Sequence, residues 1–415
     1  MGHGVATRVA IVGAGYAGMA AAVTLVEKKI PVTVFESGPV PGGRARRIVS
    51  QGNELDNGQH VLVGAYSELL RMMRTVGVAD NAVLRVPLEL RYADKFCFRA
   101  LWLPFPFGLL GGLLAARGIP FSERFAAIRF VAALRSTEQK DIPVAELLRQ
   151  HRQDGVIGHY LWRPLCVSAL NTPVEVASSR AFAAVVRDAL LGGQGASDLL
   201  LPRVDLSRLF PDPAAEFIRK NGGEVRLRTP VESLSSLSEF SAVIVAVGPH
   251  QLKTLLPGVA DNFTYQPIYT CYLQYGEKAK LGFPMIGLAD GLVQWVFDRG
   301  QLLGEKGRFA CVISAQGDHQ QMSQDELAET CHRELKESNL VREEPAWTRV
   351  IAEKRATITC GVGVSKPAME QNGVYLAGDY VDPDYPPTLE GAVRSGVRAA
   401  SALARGLVEG LPNRG

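Results

Sequence analysis

The run RVAIVGAGYAGMAAAVTLVEKKIPVTVFES, residues 8–37, constrains this chain more than any other stretch. Val9 to Val12 is a short β-branched run suited to a buried parallel strand. Gly13, Gly15 and Gly18 follow in GxGxxG spacing, with Ala14 in the same turn. The first glycine permits a tight turn, the second lets the backbone approach a diphosphate, and the third lets the next helix pack close to the strand. Met19, Ala22, Val23 and Val26 give that helix an apolar stripe, and its free N-terminal amides suit an anion. Pro31 ends the helix and Val32 to Phe35 make a second strand. Glu36 closes it about 20 residues past the turn, where a carboxylate hydrogen-bonds an adenosine ribose and repels a 2′-phosphate. Strand, turn, helix, strand and terminal acid together predict a Rossmann-like dinucleotide site; a glycine turn alone would not.

The chain has 415 residues, too many for one ordinary core, so two domains or one domain with a large insertion are expected. Apolar residues at 47 % and charged residues at 21 % exclude a disordered chain. With 45 basic and 42 acidic side chains the net charge is +3, which gives nucleic acid no electrostatic footing. The six cysteines are scattered without a CxxC pair, so neither a metal site nor a disulfide framework is expected, and a reducing cytoplasm fits. No charged segment with a small-residue cleavage site precedes Val9, so no secretory signal is expected. The most apolar window, LWLPFPFGLLGGLLAA at residues 101–116, is shorter than the ~20 residues of a spanning helix and is broken by Pro104 and Pro106. It remains a candidate for dipping into the inner face of a membrane or for lining a tunnel.

The dinucleotide motif does not choose between NAD and FAD; the next segment bears on that choice. PVPGGRARR, residues 39–47, places Gly43 and Arg44 directly after the ribose acid, where an arginine on a glycine turn can pair with a pyrophosphate through two parallel bonds. Arg46 and Arg47 read as solvated. At the other end, NGVYLAGDYVDPDYPPTLEGAVRSGVRAASAL, residues 372–403, reads as a short strand, Gly378-Asp379, a proline-rich loop and a helix from about Leu389. The glutamate and GGR arrangement resembles the flavin monoamine oxidase and phytoene desaturase superfamily. That resemblance implies FAD as cofactor. It assigns Asp379 to the ribityl chain and sets Thr388 and Leu389 with their amides toward the isoalloxazine. It also gives Val231, in GGEVRLRTPVESL, a backbone contact with the adenine. The expected fold is α/β: a discontinuous Rossmann-like FAD-binding domain of the glutathione-reductase and amine-oxidase type over 1–85, 216–255 and 366–415. A second, α+β substrate domain is expected over 86–215 and 256–365.

Residues 86–215 are helical in pattern and unusually apolar, and 265–365 reads mostly as strands, which suits a sheet roofed by helices. Apolar helices usually fill cores, but cationic or anionic groups suited to an amine are sparse here, and a long hydrocarbon fits better. LDNGQHVLVGAY, WRPLCVSALNTP, SDLLLPRVDLSRLFP and AGDYVDPDYPPTLEGAVRSG together resemble the squalene-associated FAD-dependent desaturase group over nearly the whole chain. The resemblance implies reductive dehydroxylation of hydroxysqualene, a lipophilic triterpene alcohol, in bacterial squalene and hopanoid synthesis. Acid-assisted loss of water would leave an allylic cation, which takes a hydride from N5 of reduced flavin.

His60 is the expected proton donor, because histidine titrates in the useful range, with Asp56 orienting it and Gln59 bonding flavin or hydroxyl. A structural role for His60 weighs equally. Asp198 and Asp205 are secondary acids that read more readily as turn residues, and Trp295, Tyr380 and Tyr385 are candidate aromatic walls for a cation. A polyprenyl or carotenoid desaturase, a flavin amine oxidase and a non-catalytic prenyl-lipid carrier are the rival readings.

Overall fold

The computed structural model describes residues 8–92, 95–135, 140–259, 262–382 and 385–408. A six-stranded sheet runs in the order Glu224–Arg226, Val32–Phe35, Val9–Val12, Ala242–Val245, Val374–Leu376 and Glu370–Gln371. Its first five strands are parallel, and only Glu370–Gln371 runs the other way. Val9–Val12 and Val32–Phe35 are buried at every residue, as central parallel strands with both faces covered must be. Helix Tyr16–Glu27 covers one face and packs along helix Leu389–Val408. A Cβ on Gly396 would lie 2.1 Å from the Ala17 carbonyl oxygen, so the two helices cross where only glycine fits.

The second sheet is antiparallel, in the order Met285–Gly287, Trp295–Asp298, Arg308–Ser314, Tyr265–Gln274 and Trp347–Ile358. Side chains alternate across it, as period two requires. Cys271, Leu273, Val296 and Cys311 face helix Gln324–Glu337, whereas Tyr272, Trp295, Phe297 and Val312 face the other way. On that side helices Phe107–Ala115, Phe121–Ala133, Val144–Gln150, Arg163–Leu170 and Ser179–Leu191 form a roof.

Two expected boundaries cut regular elements. Residue 85 lies inside strand Val83–Val86, which pairs with Leu199–Pro202. Residue 215 lies inside helix Pro211–Lys220. Leu206, Leu209, Phe210 and Ala214 share a core with helix Tyr16–Glu27, and the Tyr16 hydroxyl donates to the Leu206 carbonyl at 2.9 Å. The stretch from Leu206 onward therefore packs with the parallel sheet. In GGEVRLRTPVESL, residues 222–234, only Glu224–Arg226 is a strand; beyond it Arg228 and Thr229 donate their amides to the carbonyls of Gly38 and Glu36.

Candidate active site

A cavity of about 1400 Å³ opens at the C-terminal ends of the parallel strands and continues under the antiparallel sheet. That exceeds the roughly 300–1,000 Å³ of a site for one small ligand and leaves room for a cofactor with a substrate beside it.

The glycine turn forms one end. Gly13 has φ +104°, and a Cβ there would lie 2.6 Å from the Ala246 carbonyl oxygen. Behind it a Cβ on Gly18 would lie 2.0 Å from the Gly13 carbonyl oxygen. Gly15 abuts the turn at Gly43, whose added Cβ would sit 3.2 Å from the Gly15 Cα. Helix Tyr16–Glu27 begins here with no side chain capping its amides and no acid in its first turn, so it meets an anion unopposed. Glu36 accepts from the amides of Ala14 at 2.8 Å and Gly38 at 2.7 Å, which fixes the turn. Gly13, Gly15, Glu36, Gly43 and Val231 line the cavity, while Ala14 and Gly18 lie behind its wall. Bare helix amides that donate, a turn whose glycines allow close backbone approach and a fixed carboxylate that accepts are the groups an adenine dinucleotide requires.

The arginines differ from expectation. Arg44 does not stand free for a pyrophosphate: it donates to Asp379 Oδ1 at 2.7 Å and to the Ala356 carbonyl at 2.8 Å. This ion pair joins the two ends of the chain across the cavity. Arg46, read as solvated, is partly buried in the cavity wall, and Arg47 pairs with Asp212 at 2.7 Å. Asn57 secures this loop by donating to the Arg44 carbonyl at 3.0 Å and to Glu353 at 2.9 Å. Gly378, Asp379, Thr388 and Leu389 also line the cavity, but the Thr388 amide, expected to face the isoalloxazine, donates to the Pro386 carbonyl at 2.8 Å. The Thr388 hydroxyl accepts from the Gly391 amide at 3.1 Å, at the start of helix Leu389–Val408. Glu390, fully buried, accepts from the amides of Glu68 and Leu69 and so seats helix Ser67–Thr75 against this terminus.

In LDNGQH the extended backbone ends at Asp56 and bends at Asn57 and Gly58. Asp56 therefore does not face His60. It accepts from the Leu206 amide at 2.9 Å and from Arg299 at 3.1 Å, its backbone carbonyl accepts from the Tyr272 hydroxyl at 2.9 Å, and it does not line the cavity. Burial pushes the Asp56 carboxyl up, opposed by Arg299. Arg299 is itself buried, donating also to both oxygens of Glu305 at 2.8 Å and to Gln59 at 3.2 Å. Arginine only donates, so the Gln59 oxygen must face it and the Gln59 –NH2 is left to the cavity. His60 lines the cavity, and burial with the nearby Arg44 charge pulls its pKa down to about 4. The expected titration in the neutral range is not met: the ring is neutral at pH 7 and offers an N–H bond instead of a standing proton.

Away from the glycine turn the walls turn apolar, with Leu90, Leu165, Leu199, Ile268, Met285 and Phe297. Trp295, Tyr380 and Tyr385 all line the cavity. Trp295 donates from Nε1 to the Ser168 hydroxyl at 2.9 Å. Asp205 caps helix Leu206–Leu209 and Asp198 pairs with Arg85 at 2.8 Å; neither reaches the cavity. Asp188, which the sequence did not single out, does line it and lies 3.6 Å from Arg394. Asn171 explains LNTP: at φ +44° it ends helix Arg163–Leu170, accepts from the Ala315 amide at 2.8 Å and donates to Thr357 at 3.1 Å.

Fold and site define an oxidoreductase of the flavin-binding type. The family model described as flavin containing amine oxidoreductase matches residues 16–404, and the chain belongs to that family. It is 26 % identical over 420 residues to a hydroxysqualene dehydroxylase of Sinorhizobium fredii, spanning 94 % of this chain and 96 % of that one. It is 29 % identical over 424 residues to one of Rhodopseudomonas palustris, spanning 95 % and 97 %. A zeta-carotene desaturase of Zea mays is 43 % identical over 79 residues, 19 % of this chain and 14 % of that one. Among solved structures, an oxidoreductase from Methanosarcina mazei superposes with a TM-score of 0.72 at 16 % identity, covering 95 % and 100 % of the two chains. A triple mutant of putrescine oxidase, redesigned in its cofactor binding, superposes with 0.70 at 17 %, covering 96 % and 99 %. At such identities these structures speak for the fold alone.

Proposed function

We propose that the protein binds FAD in the glycine cradle and removes the hydroxyl of hydroxysqualene reductively, giving squalene. The observation that carries this reading is the cavity itself, polar where helix amides, Glu36 and Arg46 meet and apolar where Leu165, Met285 and Phe297 close around it. Similarity along nearly the full length to two hydroxysqualene dehydroxylases supports the same substrate class. The desaturase similarity is confined to 79 residues.

When bound and reduced, the flavin supplies a hydride equivalent. The chain's own residues do the remaining work. Leu165, Ile268 and Phe297 hold a hydrocarbon by area burial and keep water out. The Gln59 –NH2, aimed by Arg299, and the His60 N–H bond the hydroxyl. Protonation of the departing oxygen releases water and leaves an allylic cation, which the Trp295 ring shields; Tyr385 already stacks under Arg394 at 4.3 Å. An imidazolium with a pKa near 4 is a strong acid but scarce at pH 7. Turnover should therefore rise as pH falls toward about 4, and His60→Gln should abolish that slope while keeping flavin. A pH profile unchanged in the variant would remove His60 from the role. The reading as a whole is tested by incubating reduced protein without oxygen with hydroxysqualene, and oxidised protein with phytoene. Squalene from the first and no product from the second is expected; the reverse would make the protein a desaturase.

A further inference from the structure

Residues 101–125 carry an exposed apolar face that the cavity does not use. Trp102 is 81 % exposed, Phe107 63 % and Phe121 62 %, with Leu101, Leu103, Leu114 and Phe125 also exposed. These side chains form one surface. The Leu101 amide donates to the Gly108 carbonyl at 2.9 Å, and that of Phe107 to Pro104 at 2.9 Å, which folds the loop onto the start of helix Phe107–Ala115. Phe107 and Leu114 lie two turns apart on one side of that helix. Arg124 links it to the next helix, donating to the Leu114 and Ile119 carbonyls and lying 5.6 Å from the Phe121 ring, which meets the Phe125 ring at 5.1 Å. The opposite side of helix Phe107–Ala115 is already packed, since a Cβ on Gly112 would lie 2.3 Å from the Arg99 carbonyl oxygen.

Charge around this face is one-sided. Among the described residues of 95–135 the charged side chains are Lys95, Arg99, Arg117, Arg124, Arg129 and Arg135, against Glu123; Lys95 pairs with Asp290 at 2.6 Å and Arg99 with Glu89 at 3.5 Å, so Arg117, Arg129 and Arg135 set the sign of the rim. Glu123 is turned inward, accepting from the Ile157 amide at 2.8 Å, whereas Arg117, Arg129 and Arg135 are exposed. A contiguous apolar patch with tryptophan and phenylalanine at its surface and arginine at its rim matches the boundary of an anionic bilayer. The Phe105 amide also donates to the Gln194 side chain at 2.8 Å, just past helix Ser179–Leu191, whose Val185, Ala189 and Leu190 line the cavity.

We propose that this face docks the protein on an anionic phospholipid bilayer, beside the apolar end of the cavity. The proposal does not depend on which lipid the cavity takes. It is tested by sedimenting the flavin-loaded protein with vesicles of equal parts phosphatidylcholine and phosphatidylglycerol, and with phosphatidylcholine alone. The wild type should bind the anionic vesicles, more weakly the neutral ones, and less at high salt. The triple variant Trp102→Ser/Phe107→Ser/Phe121→Ser should retain its flavin and lose about a hundredfold in partition. Arg117→Glu/Arg129→Glu should lose binding to the anionic vesicles selectively. Wild-type protein that binds neither vesicle, or a triple variant that binds as well as wild type, overturns the proposal. So does a dimer in solution that the triple variant dissociates while wild type ignores vesicles, which would assign the face to a second copy.

Discussion

Arg299 is almost fully buried and holds three parts of the site together: Asp56, Gln59 and Glu305. Replacing it with methionine leaves Asp56 without its charged partner in a dry setting and should cost about 3–5 kcal/mol in urea unfolding. It should also free Gln59, so any turnover left would fall further than stability explains. His60 adds a pH dependence. Its pKa is lowered in the folded chain from the ordinary 6.5 to about 4, so between those values the unfolded chain binds more protons. Its stabilising contribution is complete above pH 6.5 and is lost as pH falls through 4, amounting to about 3 kcal/mol. His60→Asn should flatten that part of the stability curve relative to wild type; curves that stay parallel would refute the shift. At this scale the sequence was legible where a residue acts through backbone spacing, as at Gly13, Gly15 and Glu36. It was silent on Arg299 because FDRGQ reads as an ordinary strand end, and nothing local says which carboxylate, 243 residues away, it will meet.

Between elements, the decisive contact is the crossing of helices Tyr16–Glu27 and Leu389–Val408 at Gly396 and Ala17. Gly396→Val would place side-chain atoms against the Ala17 carbonyl. It should destabilise the fold by at least about 1–3 kcal/mol and reduce flavin content, because both helices start at the cavity. Flavin absorbance per purified chain and thermal unfolding measure the two effects. Both helices were readable from their apolar stripes and the glycine or proline before them. The small sheet of Leu62–Val63, Val83–Val86 and Leu199–Pro202 was not, since strands of two to four residues carry no period to read. That sheet explains why SDLLLPRVDLSRLFP matters. Leu199 and Leu200 pair with Leu62 and Val63, and the Leu206 amide binds Asp56, so the segment buttresses LDNGQH from behind. It supplies no acid to the cavity.

As a whole, the molecule sets a parallel sheet that ends in helix amides against an antiparallel sheet roofed by helices, and the cavity spans the seam. The Arg44–Asp379 ion pair closes that seam from the two ends of the chain. Asp379→Ala should therefore lower flavin content and also loosen the loop at Arg44. Arg44→Lys, a shorter single-point donor, should be milder. Asp188, a carboxylate in the cavity wall, has a cation, Arg394, 3.6 Å away, so it offers an amine no unpaired charge. The most direct measurement is a single turnover without oxygen. The protein-bound flavin is photoreduced, hydroxysqualene is added, and flavin absorbance and product are followed together. Reappearance of the oxidised flavin spectrum with one equivalent of squalene per flavin is the predicted result. A flavin that stays reduced in the presence of hydroxysqualene, with no squalene formed, would contradict the assignment.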